Sequence, residues 1–247
     1  AELTFTYNQL FRDTRFSGND RLDDANQLSL GVTTRYINNE DGREQFSASL
    51  GQIFYFDDRK VRLNPLDEPL DSSGSELAAE ASFIPNERLS FRASLIWDAY
   101  SGKMNSGNFE GNYIWGNGNV FNLGYTYRRP LTLVTEQPPT EQAHISTYFP
   151  IRKHWRLFGA INYSIEANTS VEDMIGVEYD SCCWNVRLLH LRYYDTVPGQ
   201  VPDFNNPELQ REDSTQFQIT LKGMGGFGSR VTSILEDMIR GFREREY

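Results

Sequence analysis

The chain has 247 residues, with 24 Lys and Arg against 34 Asp and Glu, a net charge of −10 at pH 7. That balance excludes a general nucleic-acid surface, because phosphate binding calls for a basic stripe. No apolar run reaches the roughly 18 residues of a transmembrane helix. The mean hydropathy of −0.57 is uninformative about strands whose two faces alternate.

The chain opens at Ala1-Glu2-Leu3-Thr4, with neither Met nor a signal peptide, so it is expected to be a mature product or an excised segment. The charged stretch Phe11–Leu22 precedes the first secure strand and is expected to be a solvated loop. Its other use would be to meet a partner or an anionic glycolipid through Arg12, Arg15 and Arg21. From Gln27 onward the pattern has period two, which predicts strands. Leu28, Leu30, Val32, Thr34 and Tyr36 share one face, with Ser29, Gly31, Thr33 and Arg35 opposite. A turn at Asn38–Gly42 leads to Phe46, Ala48, Leu50, Phe54 and Phe56, then to a polar loop at 57–73.

Leu77, Ala79, Ala81 and Phe83 follow, a turn is expected at Pro85-Asn86, and Leu89, Phe91, Ala93, Leu95 and Trp97 come next. Phe109, Gly111, Tyr113 and Trp115 precede the tight turn Gly116–Asn119. Phe121, Leu123, Tyr125 and Tyr127 alternate beyond it. After a Pro-containing loop at 131–140 come Ala143, Ile145, Thr147 and Phe149, then a turn at 150–154 and Trp155, Leu157, Gly159, Ile161 and Tyr163. Val171, Ile175, Val177 and Tyr179 face away from Glu172, Glu178 and Asp180, and Trp184, Val186 and Leu188 oppose Asn185 and Arg187. A loop at 196–212 leads to a last strand at 213–224 with Phe217, Ile219 and Leu221 on one face.

This is an all-β chain of about eleven antiparallel strands, each of about 9–14 residues, long enough to cross a bilayer when tilted. Short turns alternate with connections that are often long, and aromatic residues gather at strand ends, where interfacial girdles belong. A soluble β-sandwich would also alternate, but it prefers strands of about 5–6 residues. The membrane reading is therefore favoured. An array of about eleven strands would leave two edges, which lipid penalises, so a larger barrel is expected.

The tail changes period. Val231, Ile234, Leu235, Met238, Ile239 and Phe242 recur at helical spacing from about Ser229, which predicts a short amphipathic helix packing under the barrel. The glycine run Gly223–Gly228 lacks the strand-then-helix unit of a phosphate loop and is expected to be a flexible exit from the final strand. His144 and Ser146 share a strand face, as a barrel hydrolase would need. Chance placement on a polar face is preferred, and His144, His154 and His190 are too scattered for a metal site.

The only cysteines, Cys182 and Cys183, are adjacent in a turn. Disulfide geometry wants Cα atoms about 5.5–6 Å apart, whereas consecutive Cα atoms are about 3.8 Å apart, so neighbours bond each other poorly. If oxidised, they are expected to reach partners outside this sequence.

Several runs carry a resemblance. They are Leu10-Phe11-Arg12-Asp13, Asp20-Arg21-Leu22-Asp23-Asp24-Ala25-Asn26-Gln27 and Gly31-Val32-Thr33-Thr34-Arg35. Gly51-Gln52-Ile53-Phe54-Tyr55-Phe56 belongs with them, as does Met174-Ile175-Gly176-Val177-Glu178-Tyr179 leading to Ser181-Cys182-Cys183. Together, in order, they resemble the lipopolysaccharide-assembly proteins of the Gram-negative outer membrane, the lipopolysaccharide transport protein D family.

The resemblance implies the C-terminal part of a transmembrane β-barrel of about twenty-six strands, preceded by a periplasmic jellyroll domain. It implies a non-enzymatic translocon, without cofactor or metal, that inserts lipopolysaccharide into the outer leaflet through a lateral opening between first and last strands. A passive porin-type channel and a barrel hydrolase are the alternatives. The implied partners are a lipoprotein plug (lipopolysaccharide transport protein E), the jellyroll domain with the periplasmic transport bridge, lipopolysaccharide and membrane lipid.

By the same resemblance Cys182 and Cys183 bond cysteines of the missing N-terminal region, and the strand bearing Phe217, Ile219 and Leu221 forms one lip of the opening. The implied division is an outer loop at 1–24, barrel at 25–224 and a periplasmic tail at 225–247. Arg35, Arg92, Arg128, Arg156 and Arg187 fall on the polar phase with Glu80, Glu110 and Glu172. They are expected to form a hydrated wall facing the plug, or equally a structural ladder of ion pairs.

Overall fold

The computed structural model describes residues 5–17, 23–24, 26–61, 71–130, 138–194, 210–228 and 230–244. Its strands are β1 (Gln27–Ile37), β2 (Glu44–Tyr55), β3 (Leu77–Asn86), β4 (Leu89–Asp98), β5 (Lys103–Trp115) and β6 (Asn119–Arg128). They continue with β7 (Thr140–Arg152), β8 (Trp155–Ser164), β9 (Thr169–Asp180), β10 (Trp184–Tyr194), β11 (Arg211–Leu221) and β12 (Gly225–Gly228), followed by the helix α1 (Val231–Met238). They form one sheet in the order β1 to β12, and the registered pairs are antiparallel. Among the described residues no helix is long and apolar enough to cross a membrane.

The all-β antiparallel expectation holds, with differences at three places. The sheet continues past residue 224: Gly225–Gly228 pair with Gln218–Leu221 of β11, so the glycine run is a twelfth strand and not a flexible exit. A run without alternating side chains carries no period-two signal, which is why the sequence hid it. Second, Pro85 and Asn86 end β3, and the chain turns at Glu87-Arg88. Third, β7 runs through Pro150 to Arg152 with a register shift between them, a bulge being one of the few sheet positions that tolerate proline.

The chain divides into two compact units. The first draws on Ala1–Asn86, Phe91–Phe109 and Tyr127–Gln137, the second on Glu87–Ser90, Glu110–Thr126 and Pro138–Tyr247. In each, one sheet face carries exposed large apolar side chains. Val32 is 73% exposed in the first unit and Ile175 is 59% exposed in the second, each with apolar neighbours in register. Apolar stripes of this extent are unlike the surface of a soluble monomer.

The opposite, polar face of each unit is covered by a segment of the chain itself. In the first unit the Phe11–Leu22 stretch was expected to be solvated, yet Leu10 and Phe16 beside and within it are buried. Leu10 packs with Ile53, Ala78 and Ile96, and a Cβ on Gly51 would meet its Cδ1 at 2.5 Å. The missing side chain at Gly51 is what admits this close approach. Arg15 pairs with Asp23 at 3.0 Å, Arg12 is exposed, and Arg21 lies outside the described residues.

In the second unit α1 and the turn after it cover the polar face. Val231, Leu235, Ile239 and Phe242 pack with Val120, Tyr148, Phe158, Leu189 and Leu191. The expected helical start near Ser229 lies outside the described residues. The helix ends at Met238, earlier than the apolar spacing suggests, and Gly241 takes a φ of 82° that reverses the chain. Ile239 and Phe242 stay buried beyond the helix end.

Candidate functional site

The polar face of the second unit holds the most concentrated chemistry. Antiparallel register places Glu178 of β9 opposite Arg187 of β10 and opposite Arg156 of β8. Arg187 Nε donates to Glu178 Oε2 at 2.7 Å, and both residues are almost wholly buried. Arg156 Nη1 lies 3.8 Å from Glu178 Oε1. The Tyr148 hydroxyl of β7 donates to the same oxygen at 2.8 Å. Buried charges persist only when paired and hydrogen-bonded, and here one carboxylate answers two guanidiniums and a phenol.

This network is closed by the C-terminal segment. Arg187 Nη1 donates to Thr232 Oγ1 of α1 at 2.5 Å and to Glu244 Oε1 at 3.2 Å. Gln218 Oε1 of β11 accepts from the Thr232 backbone N–H at 2.9 Å, satisfying a first-turn donor that the helix itself leaves open. Beside it, Asn122 Nδ2 donates to Ser146 Oγ at 3.0 Å and to the Arg240 carbonyl at 3.0 Å. The contacts of this face are therefore those of a docked cover.

The expected polar-face residues are dispersed. Arg187 and Arg156 meet at Glu178, while Glu110 pairs with Arg240 of the C-terminal segment. Arg35 lies 3.6 Å from Glu44 with both side chains well exposed. Glu80 and Glu172 are half-buried, and Arg92 and Arg128 are exposed. Among the described residues Glu80 and Glu172 form no ion pair with these arginines; Glu178, Tyr148, Thr232 and Glu244 were not foreseen as partners. The shared phase of Glu178 and Arg187 was visible in the sequence, but their register was not. His144 is half-buried on the same face, and among the described residues no hydrogen bond joins it to Ser146.

The two cysteines form the tip of the β9–β10 turn, both exposed. Ser181 N–H donates to the Trp184 carbonyl at 2.9 Å, and Lys222 N–H donates to the Cys183 carbonyl at 3.0 Å. Lys222 Nζ also pairs with Asp180 at 2.8 Å. The two Sγ atoms lie 2.9 Å apart. The hydrogen bond from Cys183 lowers the Cys182 pKa below that of an ordinary thiol, and the same contact raises that of Cys183. Next to the turn, on the apolar face, Tyr179 packs against Trp155 at 4.9 Å and Trp184 at 5.0 Å between ring centres. Phe217, Ile219 and Leu221 lie on β11, which pairs with β10 on one side and β12 on the other.

A family model described as LptD, LPS transport system D, matches residues 1–155. An LPS-assembly protein LptD of Saccharophagus degradans is 39% identical over 251 residues, covering 98% of this chain and 29% of the relative. The chain belongs to the LptD family. The LptD of Xanthomonas campestris pv. campestris strain 8004 is 36% identical over 246 residues, and that of Acinetobacter baumannii 33% over 241. The chain thus spans less than a third of the length of these LptD relatives. The LptD family model stops before Arg156, Glu178, Arg187 and the cysteine turn. The full-length LptD relatives cover 97–98% of the chain.

Proposed function

We propose that the chain is the C-terminal part of a translocon in the outer membrane of a Gram-negative bacterium. The whole protein receives lipopolysaccharide from the periplasm and inserts it into the outer leaflet. The relatives are named LPS-assembly proteins. The observation that carries the reading for this chain is the division of its sheet into an exposed apolar face and a polar face, within a member of the LptD family. An antiparallel wall with lipid on one side and a polar interior on the other has that division.

In this reading the protein is a conduit and not an enzyme. The polar face lines the interior, where Arg35, Glu80, Arg92, Arg128 and Glu172 meet a lipoprotein plug, while Arg156 and Arg187 are held at the buried Glu178 and Glu110 pairs with the C-terminal segment. Residues 25–228 belong to the barrel wall. Cys182 and Cys183 bond the N-terminal region of the same protein, and a periplasmic jellyroll domain with the transport bridge delivers the lipid. The β11–β12 pair, including Phe217, Ile219 and Leu221, is one lip of a lateral opening.

The test is transfer of labelled lipopolysaccharide by the full-length protein with its partners, reconstituted in liposomes. Delivery of label to the lipid bilayer supports the reading. Ion or solute flux without lipid transfer would instead identify a passive channel.

A further inference from the structure

The turn that carries Cys182 and Cys183 is clamped from a neighbouring strand. Residues 181–183 join Asp180, the end of β9, to Trp184, the start of β10. One backbone hydrogen bond, from Ser181 N–H to the Trp184 carbonyl, closes the turn from within. Three further contacts come from a single residue just past β11. The β10–β11 register runs as far as Trp184 opposite Leu221, so Lys222 comes to lie across from Cys183. Its N–H donates to the Cys183 carbonyl at 3.0 Å. Its Nζ donates to the Ser181 carbonyl and lies 2.8 Å from Asp180 Oδ1.

The Lys222 side chain is only 11% exposed. Lysine is rarely covered so far unless it is paired, and Asp180 supplies the pair. The position of the ammonium group is fixed along the strand as well. Beyond Lys222, Gly223 takes a φ of 82°, Met224 N–H donates to the Leu221 carbonyl at 3.0 Å, and Gly225 pairs with Leu221. This hairpin sets where β11 ends, and with it the place of Lys222.

The thiols themselves are left open. Both cysteines are exposed, with their Sγ atoms 2.9 Å apart. Titratable groups meet the turn from three sides: Asp180 at its base, Lys222 beside it, and His154 from the β7–β8 turn. His154 Nδ1 lies 2.8 Å from the Asp180 carbonyl, and its ring packs on Tyr179. The hairpin residues Gly223-Met224-Gly225-Gly226 bring no titratable group. An unpaired Asp180 carboxylate would repel a thiolate nearby, and its pairing with Lys222 balances that charge. Contact with Cys183 is the largest influence lowering the Cys182 pKa, and the Lys222 charge adds to it. On Cys183 the Cys182 contact raises the pKa and the Lys222 charge opposes the rise.

Resting on the reading of these cysteines as a clasp to the N-terminal region, we propose that Lys222 is the positioning residue of that clasp. It holds the turn with both thiols presented outward and keeps a positive charge beside the sulfur that exchanges. Disulfide exchange runs through a thiolate. The Cys182 Sγ anion attacks one sulfur of a protein disulfide presented to it. A new S–S bond forms as the old one breaks, and the displaced thiolate takes up the proton that Cys182 released. A cation near the attacking sulfur raises its share of thiolate. Because Lys222 follows β11, the clamp exists only where β11 is paired with β10.

The test uses the full-length protein with its partners in detergent, reduced under native conditions and alkylated with iodoacetamide across about pH 6–10. Peptide mapping reads Cys182 and Cys183 separately. Lys222→Gln keeps a donor for the Ser181 carbonyl and loses the charge. It should raise the alkylation midpoint of Cys182 by about half a pH unit, the effect of one charge acting over about 6 Å through a watery dielectric. Lys222→Arg should keep the parent midpoint. Asp180→Asn removes the opposite charge and should leave the midpoint level or lower, whereas a turn that had only come loose would raise it in both neutral variants. An unchanged midpoint in Lys222→Gln, a raised one in Lys222→Arg, or a raised one in Asp180→Asn overturns the role of Lys222. Heat-modifiable migration reports that each variant is folded, and if Lys222→Gln is not, the other two decide by the same criteria. Non-reducing electrophoresis of the unreduced parent tests the clasp separately. Absence of a redox-dependent mobility shift there overturns the clasp reading and the positioning role with it, while a shift combined with any of the contrary alkylation results overturns Lys222 alone.

Discussion

The buried Glu178–Arg187 pair makes a quantitative prediction, because its two members are not equally provided for. Replacing Glu178 with Gln removes the one carboxylate that answers Arg187 at 2.7 Å. Among the described residues Arg187 then keeps only Glu244 as a counter-charge, at 3.2 Å and with a side chain 43% exposed. Breaking a buried pair costs about 3–5 kcal/mol. The Gln oxygen can still accept one hydrogen bond, which offsets about 1 kcal/mol. The expected loss for Glu178→Gln is therefore about 3 kcal/mol. Arg187→Met is the gentler change, since Glu178 retains Arg156 at 3.8 Å and the Tyr148 hydroxyl at 2.8 Å. It should cost about 1–2 kcal/mol. The assay is urea unfolding of the full-length protein in detergent, read by heat-modifiable migration. A cost below about 1 kcal/mol for Glu178→Gln, or a larger cost for Arg187→Met, would refute the assignment of Glu178 as the hub.

Other expectations follow from single contacts. Leu10 is fully buried against Ile53, Ala78 and Ile96, so Leu10→Ala should destabilise by about 2–5 kcal/mol in the same unfolding assay; a change under about 0.5 kcal/mol would place that segment off the sheet. A Cβ at Gly176 would meet the Phe158 ring at 2.3 Å and the Leu188 carbonyl at 2.5 Å, so Gly176→Ala should cost about 1–3 kcal/mol. In the reduced protein Cys182, whose pKa is lowered, should be alkylated first as pH rises toward the usual thiol range, and Cys183, whose pKa is raised, only at higher pH. Peptide mapping of the singly modified protein checks this, and equal modification of both at every pH would contradict it. On non-reducing gels the parent protein should show a mobility shift that is lost when both cysteines are replaced.

The strands were legible because their side chains alternate without interruption, and that signal is local. Leu28 through Tyr36 or Leu89 through Trp97 can be read with no knowledge of a neighbour. What could not be read was anything that depends on register or on a second segment landing on the sheet. The phase put Glu178 and Arg187 on one face, but only pairing opposes them. Glu172 has the same phase three pleat repeats away and was the equally reasonable partner. The twelfth strand was hidden because glycine contributes no alternation, and Gly228, at a φ of 108°, sits where a Cβ would meet the Phe217 carbonyl at 2.4 Å. The cover in the first unit was hidden by its charge: Arg12, Asp13 and Arg15 dominate the stretch, while Leu10 and Phe16 do the packing.

The covers on the two polar faces bear on how the wall is completed. An eight-residue helix such as α1 lies below the roughly 12–15 residues at which isolated helices become even marginal in water. Its stability must come from the sheet, through Val231, Leu235 and the residues just beyond its end. The sheet in turn needs the segment. Without it Tyr148, Phe158, Leu189 and Leu191 would be an apolar patch on a polar face, and the Arg187 guanidinium would lose Thr232 and Glu244. Strand pairing from β6 to β11 must therefore precede the docking of α1, because the receiving surface draws on β6 through β10 and on Gln218 of β11. Docking then seals the ion pair from water, which strengthens its attraction and raises the cost of reversing the step. A C-terminal segment placed this way ties β10 and β11 together from the polar side, while β12, held by four residues of pairing, is the part of the sheet with least to hold it.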